Sequence, residues 1–363
     1  MTRDYSKFLP PSMSGGGEKR ERPTIETLGW QPCFAQQISL EELTETPPVR
    51  VIEVHRSGLH VVGNDIDTTI APISKVTVGD WLLYDAQDSG ASRVLERKSL
   101  LKRRAPGTER VAQLIAANID TAFIVTSCNQ DFNVARLERY IALILEAEIT
   151  PVIILTKSDL AVSAAEYLAQ AQAISELVQV VVLDARGDEP KVKLAPWCVP
   201  GKTVAFLGSS GVGKSTLTNA LTGTQLIETQ AIREDDDKGR HTTTRRQLHV
   251  VPGGCVVLDT PGMRELQLTD VAAGIENLFA DLHSLAGQCK FNDCAHDAEP
   301  GCAVLKALDE GAIDAARLGR WRKLMAEEEF NSASLSERKS KDKAFGKTVR
   351  MIQKQSKRRK GKQ

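Results

Sequence analysis

The chain has 363 residues, enough for two or three domains, and its 41% hydrophobic content can build real cores. Lysine plus arginine total 47, as do aspartate plus glutamate, so net charge alone singles out no polyanionic partner. No apolar run approaches the roughly 20 residues that span a bilayer, and the N-terminus has no signal-peptide core. The expectation is therefore a soluble, cytoplasmic protein with no membrane partner. Four scattered cysteines (Cys33, Cys128, Cys198, Cys255) and three grouped beside a histidine suit reduced thiols and one metal site better than a disulfide framework.

Residues 1–47 are polar and rich in Pro, Gly and Glu, which predicts a flexible N-terminal extension. Between 48 and 100 the pattern changes to short apolar runs: Val51–Val54, Leu59–Val62, Ile70–Ile73 and Trp81–Tyr84. Turn signals such as Ser57-Gly58 and Val78-Gly79-Asp80 separate them. Strands at this spacing predict a small β-barrel, of which an OB-type barrel is one candidate. The pattern fits a purely structural barrel as well as a ligand-binding one. Lys98, Lys102, Arg103 and Arg104 read as a basic linker.

From 105 to 270 strands and helices alternate. Strands are expected at Thr121–Thr126, Val152–Leu155, Val180–Leu183, Val204–Leu207 and Cys255–Leu258. Helices are expected at Ala135–Ala147, Ser163–Leu177 and onward from Lys214. Such alternation predicts a mostly parallel sheet covered on both faces. Residues 271–333 read as helical around a Cys/His cluster. Residues 334–363 form a basic tail with 12 Lys/Arg against Glu337 and Asp342, either an arm for nucleic acid or a solvated charged surface.

Three segments carry nucleotide chemistry. Gly208-Ser209-Ser210-Gly211-Val212-Gly213-Lys214-Ser215-Thr216 fits G-x-x-x-x-G-K-[ST] directly after an apolar strand and before a helix, the context the motif requires. Its backbone N–H groups would cradle phosphates, Lys214 would reach the β/γ-phosphates, and the Ser215 hydroxyl would sit on Mg²⁺. Asp259-Thr260-Pro261-Gly262 ends the last strand, placing Asp259 to hold Mg²⁺ through water and the Gly262 N–H to sense a γ-phosphate. Between these two lies a polar segment ending in His241-Thr242-Thr243-Thr244, a switch loop in which one threonine, assigned to Thr243, is the second Mg²⁺ ligand. Met263 cannot orient a water as a glutamine would. His241 is the nearest candidate for that catalytic role, and a hydrogen bond within the switch loop explains it equally well.

Thr156-Lys157-Ser158-Asp159 also ends an apolar strand. Asp159 can accept from both N1–H and the exocyclic amine of guanine, a donor pair adenine lacks, and Lys157 would pack its stem over the base. A further base contact is expected at Asp184 and Ala185. This base-reading segment precedes both phosphate-reading ones, so the chain reads as a circularly permuted GTPase. Because little chain separates Gly262 from the metal cluster, the order also predicts that γ-phosphate contacts reposition the C-terminal helices against the barrel. Cys289, Cys294, His296 and Cys302, spaced C-x₄-C-x-H-x₅-C, supply a closed tetrahedral ligand set for one structural Zn²⁺.

Together these residues, with Gly58, Val78-Gly79-Asp80-Trp81, Gly239-Arg240-His241-Thr242-Thr243-Thr244 and Glu299-Pro300-Gly301-Cys302, resemble the RsgA family of small-ribosomal-subunit biogenesis GTPases over about Val51 to Phe330. The resemblance implies an OB-fold, a permuted P-loop GTPase domain and a helical zinc-binding domain. It also implies binding to the small ribosomal subunit and its 16S-type rRNA late in maturation, and GTP hydrolysis stimulated by that subunit; the chain is expected to be a monomer. Thr156 departs from the family's common Asn, and the N-terminal extension is not accounted for. Two competing readings are an RNA-binding assembly factor in which nucleotide only selects conformation, and an ATPase in which the T-K-S-D segment is accidental.

Overall fold

The computed structural model describes residues 23–104, 112–223, 246–251, 254–259 and 271–332. Two short helices, α1 (Pro32–Ala35) and α2 (Leu40–Glu45), lead into an antiparallel unit of β1 (Pro48–Val54), β2 (Leu59–Gly63), β3 (Ile66–Ile70), β4 (Trp81–Leu83) and β5 (Arg93–Val94). A hairpin, β6 (Leu100–Arg104) with β7 (Ala112–Ala117), follows. The α/β region is β8 (Thr121–Ser127), α3 (Val134–Glu146), β9 (Thr150–Thr156), α4 (Ala164–Gln172), β10 (Gln179–Val182), α5 (Glu189–Lys193), β11 (Thr203–Leu207), α6 (Lys214–Thr222), β12 (Gln247–Val250) and β13 (Val256–Asp259). Helices α7 (Ala272–Leu278), α8 (Ala280–Ala286), α9 (Ala303–Asp309) and α10 (Ala315–Ser332) end the described chain.

One 11-stranded sheet runs in the order β10-β9-β8-β11-β13-β12-β1-β2-β3, with β4 and β5 branching from β1. Strands β10, β9, β8, β11 and β13 are parallel, and β12 is antiparallel to β13. Alternate residues face opposite cores, as the pleat requires. Ala122, Ile124, Ile153 and Leu155 join the core beneath α3, whereas Phe123, Val125, Val152 and Ile154 join the one that contains Leu217 and Leu221 of α6. The antiparallel unit is not a separate body. β1 pairs with β4 at Pro48–Arg50 and with β12 at Glu53↔Gln247, which splices it onto the nucleotide sheet.

Several expectations need correction. The N-terminal extension is folded from Pro23 onward: Ile25, Leu28 and Phe34 are buried, and Trp30 stacks edge-on against Trp81 at 4.8 Å. These apolar residues are diluted among Pro, Gly and Glu, which is why composition suggests a flexible segment. The basic linker is a hairpin, so a boundary between 100 and 105 cuts through β6. The third strand is Ile66–Ile70 rather than Ile70–Ile73. Helix α4 stops at Gln172, after which Ser175 accepts the Leu177 N–H in a local turn that competes with the helix. Strand β12 was not expected.

The seam between the antiparallel unit and the α/β region is polar and buried. Arg50 donates to the carbonyls of Leu28, Gly79 (3.4 Å) and Asn118 (3.2 Å), joining the segment before α1, the turn before β4 and the β7–β8 turn. Burial pulls its guanidinium down to about 10, with Asp120 and Asp80 opposing. Asp80 pairs with Arg97 at 2.6 Å, and Gly79 lies so close to Ala117 that a Cβ would stand 2.1 Å from its carbonyl oxygen. The Val78-Gly79-Asp80-Trp81 run is thus a packing motif of this seam.

The C-terminal helices are fastened to α3. A Cβ at Gly274 of α7 would stand 2.0 Å from the Ala142 carbonyl oxygen, and the Gly274 N–H donates to Glu146 at 2.9 Å. From α10, Arg320 Nε donates to both oxygens of the fully buried Glu138 at 2.9 Å.

Candidate functional site

The parallel order places β11 between β13 and β8, while the chain from β8 runs the other way to β9 and β10. Beyond the carboxyl ends of β8 and β11 lies the point where strand order reverses, the crevice in which open α/β sheets bind ligands. Gly208 begins the turn there with φ +136°, and a Cβ on it would stand 2.2 Å from the Val125 carbonyl oxygen of β8. Gly211 (φ +76°) and Gly213 (φ +104°) also take left-handed conformations. The loop thus turns its backbone N–H groups toward one concavity at the start of α6, a ready anion cradle. Lys214 Nζ lies across it, donating to the carbonyls of Gly208 (2.9 Å) and Ser209, and Ser215 is half-buried in the first helical turn.

The base-reading segment meets this loop directly. Thr156, fully buried at the end of β9, donates from Oγ1 to the Val212 carbonyl at 2.6 Å. Lys157 holds φ +55°, uncommon for a residue with a Cβ, and starts the 3₁₀ turn Ser158–Leu160 that leaves Asp159 exposed. A Cβ at Gly213 would lie 3.6 Å from Ala185 Cβ and 3.7 Å from Thr156 Cγ2. Phosphate loop, base-reading turn and the segment after β10 therefore converge on one spot, although about 50 residues separate Thr156 from the loop. Ala185 is buried in this junction. Asp184 has a local task as well, its Oδ1 accepting the Arg186 N–H at 2.9 Å.

Asp259 is the last residue of β13, one strand from the phosphate loop. Its side chain, with Gly262, His241, Thr242, Thr243, Thr244 and the tail 334–363, lies outside the described residues. Sequence reasoning did not single out the Val212 carbonyl as the partner of Thr156. A backbone acceptor has no residue-type signature, and the only available signal was the strand-end position of Thr156.

The second cluster is tight. The ligand atoms of Cys289, Cys294, His296 and Cys302 all lie within 4.8 Å of one another. His296 Nδ1 is 3.6 Å from Cys289 Sγ and 3.4 Å from Cys302 Sγ, and the two sulfurs are 3.8 Å apart. Zinc bonds of about 2.3 Å to sulfur and about 2.0 Å to nitrogen set tetrahedral edges of about 3.8 Å between sulfurs and about 3.5 Å between sulfur and nitrogen. Cys289, Cys302 and His296 match those edges, Cys294 lies within 4.8 Å of each of them, and the set could hold a zinc ion. His296 reaches its place through φ +60° and packs on Trp321 at 5.5 Å between ring centroids. Glu299 braces the connecting loop by accepting the N–H groups of Ala295 (3.0 Å), Asp297 (2.8 Å) and Ala298 (3.1 Å); its own backbone N–H most of all, and then these, hold its carboxyl down to about 2.

The sequence model described as RsgA GTPase matches residues 94–269, and one described as ABC transporter matches residues 196–352, a span containing the same phosphate loop. Among the described residues no helix is long and apolar enough to cross a membrane. The chain is 46% identical over 333 residues to "Small ribosomal subunit biogenesis GTPase RsgA 2" of Vibrio vulnificus, covering 91% of this chain and 95% of that one. It is 50% identical over 319 residues to "Small ribosomal subunit biogenesis GTPase RsgA" of Mesorhizobium japonicum, covering 85% and 91%. Of solved structures, YjeQ from Thermotoga maritima aligns with TM-score 0.55 at 25% identity over 77% of this chain and 97% of its own. YloQ, described as a circularly permuted GTPase, aligns with TM-score 0.53 at 24% identity over 79% and 96%, a likeness of fold.

Proposed function

Because the chain belongs to the RsgA family of small ribosomal subunit biogenesis GTPases, we propose that it hydrolyses GTP while bound to the small subunit and its 16S-type rRNA late in subunit maturation. The convergence of Thr156, Ala185 and Gly213 carries this reading: a base-reading turn and a phosphate loop from distant parts of a permuted chain meet at the strand-order reversal.

In the proposed site Asp159 accepts from the guanine edge, and the Lys157 stem packs on the base. The loop N–H groups from Ser209 to Thr216, with Lys214, hold the phosphates and stabilise charge as the γ-phosphate departs. Ser215, Asp259 and Thr243 are the residues that would hold Mg²⁺, which when bound neutralises the β/γ oxygens. His241 remains the candidate for orienting the attacking water. The Cys289–Cys302 cluster holds one structural Zn²⁺, and the unit β1–β5 is an OB-type barrel.

RNA contacts fall to that barrel, to the β6–β7 hairpin with Lys102 and Arg103, and to the basic tail. The protein acts as a cytoplasmic monomer. Helix α7 follows the Gly262 region and is capped by Glu146 of α3, so a γ-phosphate signal would reach α3 and the zinc-bearing helices as one unit. That unit would then shift against the barrel. Competition binding tests the nucleotide assignment: GTP should displace bound GDP far better than ATP, and Asp159→Asn should erase that preference. Equal competition by ATP would favour the ATPase reading that the overlapping ABC match leaves to be tested.

A further inference from the structure

The turn after β10 is gripped from outside by two residues of α5. Glu189 Oε2 accepts the Asp184 N–H at 3.0 Å. Lys193 Nζ reaches the same oxygen at 2.8 Å and the Val182 carbonyl at 2.9 Å. The last carbonyl of the strand and the first N–H of the turn are thus tied to one ion pair. The Leu183 N–H is taken by the Leu155 carbonyl at 3.1 Å, and the Arg186 N–H by Asp184 Oδ1 at 2.9 Å. Ala185 sits in the middle of these engaged neighbours, and among the described residues no acceptor takes its N–H. The residue is buried and stands beside the phosphate loop, where a Cβ on Gly213 would lie 3.6 Å from the Ala185 Cβ. An N–H left over in a buried residue suits an acceptor that a ligand brings.

We infer that Glu189 is a positioning residue for the base: by gripping the Asp184 N–H, with Lys193 anchoring it to β10, it fixes the turn so that the Ala185 N–H is presented to the 6-oxo group of guanine. Once Asp159 accepts from N1–H and the exocyclic amine, that oxygen on the same edge still needs a donor, and adenine carries an amine in its place. The Lys193 ammonium, and after it the Asp184 N–H, hold the Glu189 carboxyl below its ordinary value of 4.5, so the acceptor is charged at neutral pH. Both side chains of the pair are half exposed, which leaves it little weight in stability. Its effect lies in aiming the turn. The inference rests on the nucleotide-site reading above and deepens it, since neither Glu189 nor Lys193 touches the nucleotide.

The test uses the full chain with Mg²⁺ and measures dissociation constants of GTP, inosine triphosphate and inorganic triphosphate for the parent, Glu189→Ala and Glu189→Gln. Glu189→Ala should weaken GTP and inosine triphosphate, which share the 6-oxo group, by the same factor of about fivefold. Inorganic triphosphate should stay within about twofold of the parent, and the melting temperature should move little. Glu189→Gln keeps an acceptor for the Asp184 N–H and should restore GTP binding to within about twofold. An equal loss for inorganic triphosphate would mean that Glu189 acts on the phosphate loop, and would overturn the inference. A smaller loss for inosine triphosphate, which lacks the exocyclic amine, would place the effect at Asp159 and overturn it too. So would unchanged GTP affinity in the alanine variant, or a glutamine variant as weak as the alanine one. Should Glu189→Ala fail to fold, Lys193→Met, which removes the anchor, carries the same comparison with a loss of about threefold for GTP and inosine triphosphate alone. Failure of the parent itself to bind GTP would sink the nucleotide-site reading instead.

Discussion

Gly208 and Val125 touch across the centre of the sheet: a Cβ on Gly208 would stand 2.2 Å from the Val125 carbonyl oxygen. The contact joins the first residue of the phosphate loop to β8, the strand that begins the base-reading half, and the left-handed φ of +136° permits it. Gly208→Ala meets a rigid backbone and a strained dihedral together. It should cost more than about 2 kcal/mol of stability and abolish GTP binding. Urea denaturation and nucleotide titration of the variant check both parts. A stable variant that binds normally would mean that the two strands can separate freely.

Glu138 and Arg320 fasten the C-terminal helices to the nucleotide domain through two contacts of 2.9 Å, with the carboxylate fully buried. Removing one member of such a pair leaves an uncompensated buried charge. Arg320→Ala should therefore destabilise by about 3 kcal/mol, and Glu138→Ala, which leaves the partly exposed guanidinium, by less. The order of the two costs, read from denaturant midpoints, is the test. Equal small costs would indicate that the helices are held by apolar contacts alone.

Asp120 ties the seam together, accepting from Lys98 (2.6 Å), the Thr203 N–H (2.9 Å), Lys202 (3.1 Å) and Gln31 (3.2 Å). Burial raises its carboxyl, but these donors outweigh burial and hold it below the ordinary value of 3.8. A depressed folded value means that the stabilisation is fully present above 3.8 and is lost as pH falls through the lower folded value. Asp120→Asn should lower stability by about 2 kcal/mol at neutral pH, and the deficit should shrink below pH 4. Denaturation midpoints from pH 7 to pH 3 measure it. A deficit that stays constant with pH would show that the charge of Asp120 is not what stabilises the seam.

Much of this was legible in advance because it depends on local chemistry. The phosphate loop is defined by glycines that must turn and by a strand and helix that flank them, and the metal cluster by four soft ligands within 14 residues. The parallel sheet followed from alternating apolar runs and amphipathic helices. What stayed hidden depends on long-range backbone contact. The packing of Ile25, Leu28 and Trp30 onto Trp81, and the splice of β1 to β12, leave no periodic trace in short, polar-flanked segments. The β6–β7 hairpin was masked by its own basic residues: Lys102 and Arg103 are half-buried, and Arg103 donates to Gln113 at 2.9 Å, yet in sequence they look like linker charge. Thr156 was legible as a strand end but not as a donor to Val212.

Metal removal should act on the C-terminal helices first. The chain should carry one zinc, and chelation should lower the melting temperature and expose the thiols of Cys289, Cys294 and Cys302, while Cys128 in the sheet core stays protected. Thiol titration with and without chelator distinguishes these. His296→Ala should reproduce the effect in part. Thiols equally reactive before and after chelation would argue that no metal is held there.

Turnover measured with and without purified small subunits shows whether this GTPase works on the small ribosomal subunit. Subunits should accelerate phosphate release from GTP many-fold, ATP should not be hydrolysed faster in their presence, and high salt should weaken the acceleration. Turnover of GTP that is the same with and without subunits, at concentrations where the protein is shown to be bound, would contradict it and leave an assembly factor in which nucleotide only selects conformation.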